Sequence, residues 1–79
     1  MPRVTKRAQR DLEDLPPSLR EKAEAIMNRL DQEPALGKKL QGALKELRSA
    51  RLGRSHRIIY TVRDEVVVLT VSQRKDAYR

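Results

Sequence analysis

The sequence is poor in the residues that build disulfides, metal sites and redox centres. Its 79 residues include no cysteine and only one histidine. Without cysteine the chain can form neither a disulfide framework nor a thiolate metal site, and one histidine cannot by itself build an imidazole site. We therefore predict no metal and no cofactor. The lack of cysteine also fits a reducing cytoplasm.

Aromatic residues and long apolar runs are scarce as well. There is no tryptophan or phenylalanine, and the two aromatic residues are Tyr60 and Tyr78, so the chain lacks the stacking platforms of a general single-strand-binding protein. No apolar stretch approaches the roughly 20 residues that span a bilayer, and the first residues lack the apolar core of a signal peptide. We expect residues 1–79 to form one soluble cytoplasmic domain, near the lower size limit for a self-sufficient core.

Charge is abundant and unevenly distributed. Residues 1–33 hold seven Lys/Arg and seven Asp/Glu, whereas residues 34–79 hold eleven against four, so the whole net charge of +7 lies in the second part. This part includes Lys45, Arg48, Arg51, Arg54, Arg57, Arg74, Lys75 and Arg79. Clustered cations of this kind favour a phosphate-rich partner, because they neutralise backbone phosphates and release counterions. A solvated basic face is the alternative.

Apolar periodicity predicts two N-terminal helices. Thr5 can cap the first, in which Ala8, Leu12 and Leu15 share one side while Arg7, Arg10, Asp11 and Asp14 face elsewhere. Pro16-Pro17 ends it. Ser18 with Glu21 predicts a capping box for a second helix, whose apolar stripe comprises Leu19, Ala23, Ile26, Met27 and Leu30. We expect these helices to pair antiparallel.

The second half of the chain predicts strands. Residues 33–42 indicate a loop with a turn or one short helical piece, and residues 44–52 could be a strand, although their apolar spacing fits neither period well. Alternation over residues 57–63, a turn at Asp64-Glu65 and the apolar run Val66 to Val71 predict a β-hairpin. Gly53 can let the chain change direction between Arg51 and Arg57.

Alternation also predicts which hairpin residues share a face. We expect Ile58, Tyr60 and Val62 to lie beneath the helices with Val67, Leu69 and Val71, and the other, open face to carry Arg57, Ile59 and Thr61 with Val68, Thr70, Ser72 and Arg74. Arg57 and Arg74 would then meet at one end of the open face. Two arginines without a carboxylate between them repel, so either water screens them or an anion binds there.

The order and spacing of these motifs resemble the RelE/ParE toxin superfamily. The resemblance rests on Leu47-Arg48, Arg51-Leu52-Gly53, the runs His56 to Val62 and Val66 to Tyr78, and the opening helix from Arg7 to Leu12 with Leu15-Pro16-Pro17. It covers essentially the whole chain. It implies a single RelE-like α+β domain, β-α-α-β-β-β, with a short first strand near Pro2–Val4 and two N-terminal helices on one face of a small, curved antiparallel sheet.

The resemblance implies a toxin of a type II toxin–antitoxin system. RelE-like members are ribosome-dependent endoribonucleases that cut mRNA in the decoding site without a metal, by attack of the ribose 2′-hydroxyl on the adjacent phosphate. By position, Arg57 and Arg74 match charge-stabilising arginines, Tyr78 matches the residue for stacking or proton transfer, and Arg48 lies near a basic catalytic position. Lys45, Arg51, Arg54 and Lys75 are candidate RNA contacts.

Departures from the family pattern leave the acid and base unassigned. Some members carry lysines on the second strand, where this chain has Arg48 and Arg51, whose guanidinium groups make poor bases. Some relatives place a histidine where this chain has Gln73. His56 has a suitable ring, but its position is often aromatic in the family, which favours packing over catalysis. Lys75 could act as a base only if its pKa were strongly depressed.

Two other functions are compatible with the resemblance. ParE-like members share the fold but inhibit DNA gyrase, and a catalytically degenerate toxin would act as a basic binding module. The combination of Arg57, Arg74 and Tyr78 favours the nuclease. In each case we expect a cognate antitoxin that supplies carboxylates and an amphipathic helix and folds as it binds. Ribosome and mRNA are the other expected partners, and operator DNA would be bound only through the antitoxin complex.

Overall fold

The computed structural model describes residues 2–40, 47–62 and 64–73. In chain order these contain β1 (Arg3–Val4), α1 (Lys6–Glu13), α2 (Pro17–Gln32), a 3-10 helix (Pro34–Leu36), β2 (Lys38–Lys39), β3 (Leu47–Leu52), β4 (His56–Val62) and β5 (Val66–Gln73). The predicted α+β class, with its short first strand and two N-terminal helices, is confirmed. None of the helices in these ranges is long and apolar enough to cross a membrane.

The described strands form one mixed sheet in the order β1-β5-β4-β3-β2. β3, β4 and β5 are antiparallel neighbours, and β2 is antiparallel to β3. β1 instead runs parallel to β5, with Arg3 opposite Val67 and Val4 opposite Val68. The structure therefore differs from the expected sheet in two ways: β1 is parallel, and the region predicted as a loop contributes the extra strand β2.

The helix starts follow one predicted cap and depart from the other. Thr5 caps α1 as predicted, because its side-chain Oγ1 accepts from the Ala8 backbone N–H at 3.1 Å. The Ser18 capping box is wrong, since α2 begins at Pro17 with no side-chain cap bond. Proline suits the first helical position because its fixed φ is already helical and its missing N–H needs no partner. The junction is instead held by Arg20, which donates to the carbonyls of Leu12 (3.1 Å) and Glu13 (2.7 Å).

The core lies between the helices and one face of the sheet. Helix residues Ala8, Leu15, Ala23, Met27 and Leu30 pack with the buried strand residues Ala50, Leu52, Ile58, Tyr60, Val66, Val68 and Val71. Leu12, Leu19 and Ile26 are partly buried against this cluster. The predicted apolar stripes of both helices are therefore confirmed. Their burial places the helices on one face and leaves the other face of the sheet without a helical cover among the described residues.

A β-bulge changes the predicted faces of β5. Ile59 lies opposite Thr70, but the next residue, Tyr60, lies opposite Val68, so Leu69 is the extra residue. One inserted residue exchanges the faces of all residues beyond it. Val68, predicted on the open face, is consequently fully buried in the core, and Val67 and Leu69 are only half-buried. Val62, also predicted beneath the helices, is 37% exposed.

Candidate nucleic-acid interface

The turn between β3 and β4 brings two arginines of the predicted site face to face. Gly53 occupies this turn with φ of 62°, a left-handed conformation that favours glycine. The predicted change of direction is therefore confirmed. The register then places Arg51 directly opposite Arg57. Directly opposed residues of an antiparallel pair lie on the same face, and like charges there repel each other.

Arg57 lies over a buried serine on the open face. Ser49 is 3% exposed, and its Oγ accepts a long hydrogen bond of 3.4 Å from Arg57 NH1. Ile59, beside it on the same face, is 4% exposed. Arg57 is half-buried and its Nε atom is buried. Partial burial reduces solvent screening, so this guanidinium acts more strongly on a nearby anion than a fully solvated arginine would.

Strand β2 adds a lysine to this cluster. Lys38 lies opposite Ser49, on the same face as Arg57. A cavity of about 520 Å³ borders these residues, and we call it the basic groove; its lining comprises Ile26, Arg29, Leu36, Gly37, Lys38, Ser49, Ala50, Arg51 and Arg57. Four of these described lining residues are basic and none is acidic. The groove therefore suits an anionic ligand.

Arg48 does not join this cluster. It lies opposite Tyr60, a core residue, and its NH1 donates to the Gly37 carbonyl at 2.8 Å. Because directly opposed residues share a face, Arg48 lies on the helix side of β3 whereas Arg51 and Arg57 lie on the open face. Arg54 is exposed in the turn after Leu52. Of the candidate residues, the structure thus brings together Arg51 and Arg57, with Arg54 nearby in the chain.

The remaining candidates lie outside the described residues. These are Lys45, Arg74, Lys75 and Tyr78. The expected meeting of Arg57 with Arg74 therefore stays a prediction. Within the described part of β5, Ser72 is the residue opposite Arg57.

A carboxylate borders the open face on the β5 side. Asp11 Oδ2 accepts from the Thr70 hydroxyl at 2.6 Å and from the Val71 backbone N–H at 3.0 Å. The Thr70 and Ser72 hydroxyl oxygens are 3.4 Å apart. As expected, Asp11 does not join the apolar side of α1; it meets the outer edge of β5, where the Val71 N–H needs an acceptor. Asp11 therefore ties α1 to the sheet.

His56 lies on a different face from Arg57. It is opposite Leu52, a core residue, and its Nδ1 atom is 2.7 Å from Ser55 Oγ. His56 is half-buried there, and its packing role stays a prediction. Among the described residues, no group of three or more His, Cys, Asp or Glu side chains is arranged to hold a metal ion.

Three groove residues were not identified from the sequence. Lys38 was assigned to a loop, since a two-residue strand has too few positions to show alternation. Ser49 is a polar residue in a segment whose apolar spacing is irregular, so the pattern did not predict its burial. Arg29 lies on α2 outside the predicted apolar stripe, and it pairs with Glu33 at 3.1 Å. No local signal distinguishes these residues from ordinary surface residues.

The fold and the basic groove define a small α+β protein with a cationic sheet face, and comparison with known proteins names its family. A family model described as "ParE toxin of type II toxin-antitoxin system, parDE" matches residues 3–78. The chain belongs to this family and is therefore a type II toxin of the RelE/ParE superfamily. No curated protein matches the chain.

Solved structures of toxin–antitoxin complexes share the fold. The RelBE2 complex from Mycobacterium tuberculosis matches with 35% identity and a TM-score of 0.81, over 94% of this chain and 100% of that one. The RelB–RelE complex from Methanococcus jannaschii matches with 22% identity and a TM-score of 0.77, over 96% and 94% of the two chains. The YoeB–YefM complex from Staphylococcus aureus has the same identity and TM-score, over 89% and 91%.

Proposed function

We propose that this toxin is a ribosome-dependent endoribonuclease that cleaves mRNA in the decoding site. The observation that carries the proposal is that Arg51 and Arg57 lie directly opposite each other, beside buried Ser49. The described lining of their groove contains no acidic residue. Two cations held together in this way are stabilised by an anion that lies between them. A phosphate of the RNA backbone has the required charge and hydrogen-bond acceptors.

The proposed reaction is metal-independent attack of the ribose 2′-hydroxyl on the adjacent phosphate. As the O2′–P bond forms, the 2′-hydroxyl gives its proton to a general base and the P–O5′ bond breaks. The product end is a 2′,3′-cyclic phosphate, and the leaving O5′ receives a proton to become a 5′-hydroxyl. Arg57 stabilises the charge that develops on the phosphorane, and Arg51 helps to hold the phosphate. Arg74 is proposed as a second charge stabiliser, and Tyr78 as the stacking or proton-transfer group.

The other candidate residues have proposed roles in binding. Lys45, Arg54 and Lys75 are proposed to contact RNA phosphates outside the reacting centre. Arg48, expected at a catalytic position, is instead proposed to hold the Gly37 segment, since it lies on the helix side and its Nη1 donates to the Gly37 carbonyl. Ribosome and mRNA supply the remaining recognition, because the chain has only two aromatic residues and one of them, Tyr60, is buried in the core.

The proposed inhibitor is a cognate antitoxin. The solved structures that match this chain include RelB–RelE and YoeB–YefM complexes, which supports a partner of this kind. The net charge of +7 favours an acidic partner segment. Operator DNA is proposed to be bound only through the antitoxin complex, and the cytoplasm is the proposed location.

The test is cleavage of a defined mRNA on programmed ribosomes, with 5′ ends mapped by primer extension. We expect cuts in the decoding site that disappear when ribosomes are omitted. Arg57→Ala should reduce the cleavage rate about 100- to 1000-fold, the usual effect of removing one transition-state charge donor. Arg10→Ala, which removes an equal charge from the exposed side of α1, is the matched control and should cleave like the parent. Equal activity of both variants would contradict the proposed role of Arg57.

Inhibition of DNA gyrase is the second candidate function. The observation that favours it is the family model itself, whose description names ParE toxin and parDE. A supercoiling assay with purified gyrase separates the two candidates. Inhibition of supercoiling without any mRNA cleavage would establish the gyrase function, whereas neither activity in a folded protein would indicate a degenerate toxin that acts by binding.

A further inference from the structure

Three polar side chains are linked along β5 beside the open face. Asp11 Oδ2 accepts from the Thr70 hydroxyl at 2.6 Å, and the Thr70 and Ser72 hydroxyl oxygens are 3.4 Å apart. The Val71 backbone N–H holds the same carboxylate oxygen at 3.0 Å. All three side chains are half-buried. We call Asp11, Thr70 and Ser72 the polar triplet.

The proton positions in the polar triplet follow from its composition. An ionised carboxylate can only accept hydrogen bonds, so the Thr70 hydroxyl donates its one proton to Asp11. Thr70 Oγ1 can then only accept in its contact with Ser72, and the Ser72 hydroxyl directs its proton to Thr70. The Ser72 oxygen therefore presents lone pairs to any further group. It selects a hydrogen-bond donor.

Ser72 lies beside the residue that is proposed to stabilise the attacked phosphate. The register of β4 and β5 places it directly opposite Arg57 on the open face. Side chains in such a pair begin only about 4.5–5.5 Å apart. A ribose 2′-oxygen poised to attack lies about 3–3.5 Å from the phosphorus. The 2′-hydroxyl of a nucleotide whose phosphate contacts Arg57 is therefore within reach of Ser72.

We propose that Ser72 recognises ribose by accepting a hydrogen bond from this 2′-hydroxyl, and that Asp11 and Thr70 are positioning residues that fix Ser72 as an acceptor. This proposal rests on the proposed endoribonuclease function. The bond forms in the bound state, before the 2′ proton passes to the general base. DNA has no donor at this position, so the polar triplet distinguishes a ribonucleotide from a deoxyribonucleotide.

The polar triplet also separates the hydroxyl position from the phosphate position. Phosphate oxygens only accept hydrogen bonds, so they are attracted to Arg57 and gain nothing from the acceptor at Ser72. A hydroxyl that can donate has the opposite preference. The directly opposed pair of Arg57 and Ser72 therefore sorts the two groups that react with each other.

The test uses two mRNAs that differ in a single oxygen, with ribose or 2′-deoxyribose at the decoding-site nucleotide. In both, a methylene group replaces the scissile O5′, so that neither is cleaved. The affinity of the full-length toxin for ribosomes programmed with each mRNA is measured by filter retention. We expect the parent to prefer ribose by about 3- to 10-fold, the effect of one hydrogen bond, and Ser72→Ala to bind both mRNAs equally. Equal binding by the parent, or an unchanged preference in Ser72→Ala, would overturn the proposal.

Substitutions of Thr70 test the positioning role. Thr70→Val keeps the side-chain shape but removes the hydroxyl, and it should lose most of the preference for ribose. Thr70→Ser keeps the hydroxyl and should keep the preference. Thr61→Val, the same change at a half-buried threonine of β4, is the matched control and should bind like the parent. A purely structural effect would weaken binding of both mRNAs alike, so a preference that persists in Thr70→Val would refute this role.

Cleavage of unmodified mRNA is scored separately from binding. If the parent prefers ribose but does not cleave, the nuclease function fails and ribose recognition is supported. If the parent cleaves but binds the two mRNAs equally, the nuclease function is supported and ribose recognition fails. Absence of binding to either mRNA would also overturn ribose recognition.

Discussion

The two outer edges of the sheet differ in how they are paired and covered. Beside β5, the edge is covered by β1 and then by α1. The Thr5 N–H donates to the Val68 carbonyl at 3.0 Å, and Thr5 Oγ1 donates to the Leu69 carbonyl at 2.8 Å. Asp11, on α1, accepts from the Val71 N–H. Beside β3, the described residues supply only the two-residue strand β2, and Ala50 and Arg51 border the basic groove. Within the described ranges, one edge is therefore covered by β1 and α1, whereas the other is covered only by β2 and borders the basic groove.

The charges of the two edges differ in the same way. At the β5 edge a carboxylate, Asp11, receives two hydrogen bonds from the strand. At the β3 edge the cations Lys38, Arg51 and Arg57 lie near one another, and Arg51 and Arg57 are directly opposed. Hydrogen bonds at the first edge contribute to stability, while repulsion at the second lowers it and favours anion binding. The β5 edge therefore stabilises the fold, whereas the β3 edge concentrates positive charge.

Substitution of Asp11 should open the closed edge and has the largest expected effect on stability. Asp11→Ala removes the acceptor of the Val71 N–H and of the Thr70 hydroxyl. We expect the free energy of unfolding to fall by about 2–3 kcal/mol, because partly buried donors lose their partner. Urea denaturation measures this loss. Glu13→Ala, at an exposed position of the same helix, is the control and should change stability by less than about 0.5 kcal/mol. Similar losses for both variants would show that Asp11 does not close this edge.

Substitution of Tyr60 should loosen the open edge. The fully buried Tyr60 hydroxyl accepts from the Gly37 N–H at 2.8 Å and donates to the Pro34 carbonyl at 2.8 Å, so it holds the segment that leads into β2. Tyr60→Phe keeps the ring and removes both bonds. We expect a loss of about 1–2 kcal/mol and faster hydrogen exchange at Gly37. Unchanged exchange at Gly37 would mean that the hydroxyl does not position this segment.

Removal of Arg51 should have the smallest effect on stability, with the opposite sign. Arg51→Ala relieves the repulsion with Arg57 and should raise the free energy of unfolding by about 0.2–1 kcal/mol. The same change should weaken RNA binding and lower its salt slope by about 0.7, the value for one phosphate contact on a single strand. Thermal melts and a salt titration of binding measure the two effects. Arg54→Ala, in the exposed turn, should leave stability unchanged. A loss of stability in Arg51→Ala would contradict the proposed repulsion.

Helix positions were predictable because their signals are local. The apolar stripe of α2, from Leu19 to Leu30, recurs with the period of one helix, and the Thr5 cap depends on an N–H only three residues away. The β4–β5 hairpin was predictable for the same reason. The faces of β5 were not, since the run Val66 to Val71 is apolar at nearly every position and contains no signal that marks Leu69 as a bulge.

The candidate site was predictable as a set of charges but not as an arrangement. The excess of Lys and Arg after residue 34 indicates an anionic partner in any fold. The pairing of Arg51 with Arg57 depends on the β3–β4 register, and the face of Arg48 depends on its position opposite Tyr60. Arg48 and Arg51 are three positions apart, so a regular strand places them on opposite faces, but only the register decided which of the two shares a face with Arg57.

Composition and short-range periodicity were sufficient to predict the helices, the hairpin and the basic character of the second half. Each of these features depends on residues that are close to one another in the sequence. Contacts between distant residues decided the rest. Asp11 reaches Thr70 across 59 positions, and Lys38 joins Ser49 through a two-residue strand. Register, bulges and edge neighbours are set by packing of the whole sheet on the helices, and no local pattern specifies them. That packing determines which cations share the open face and which edge remains available.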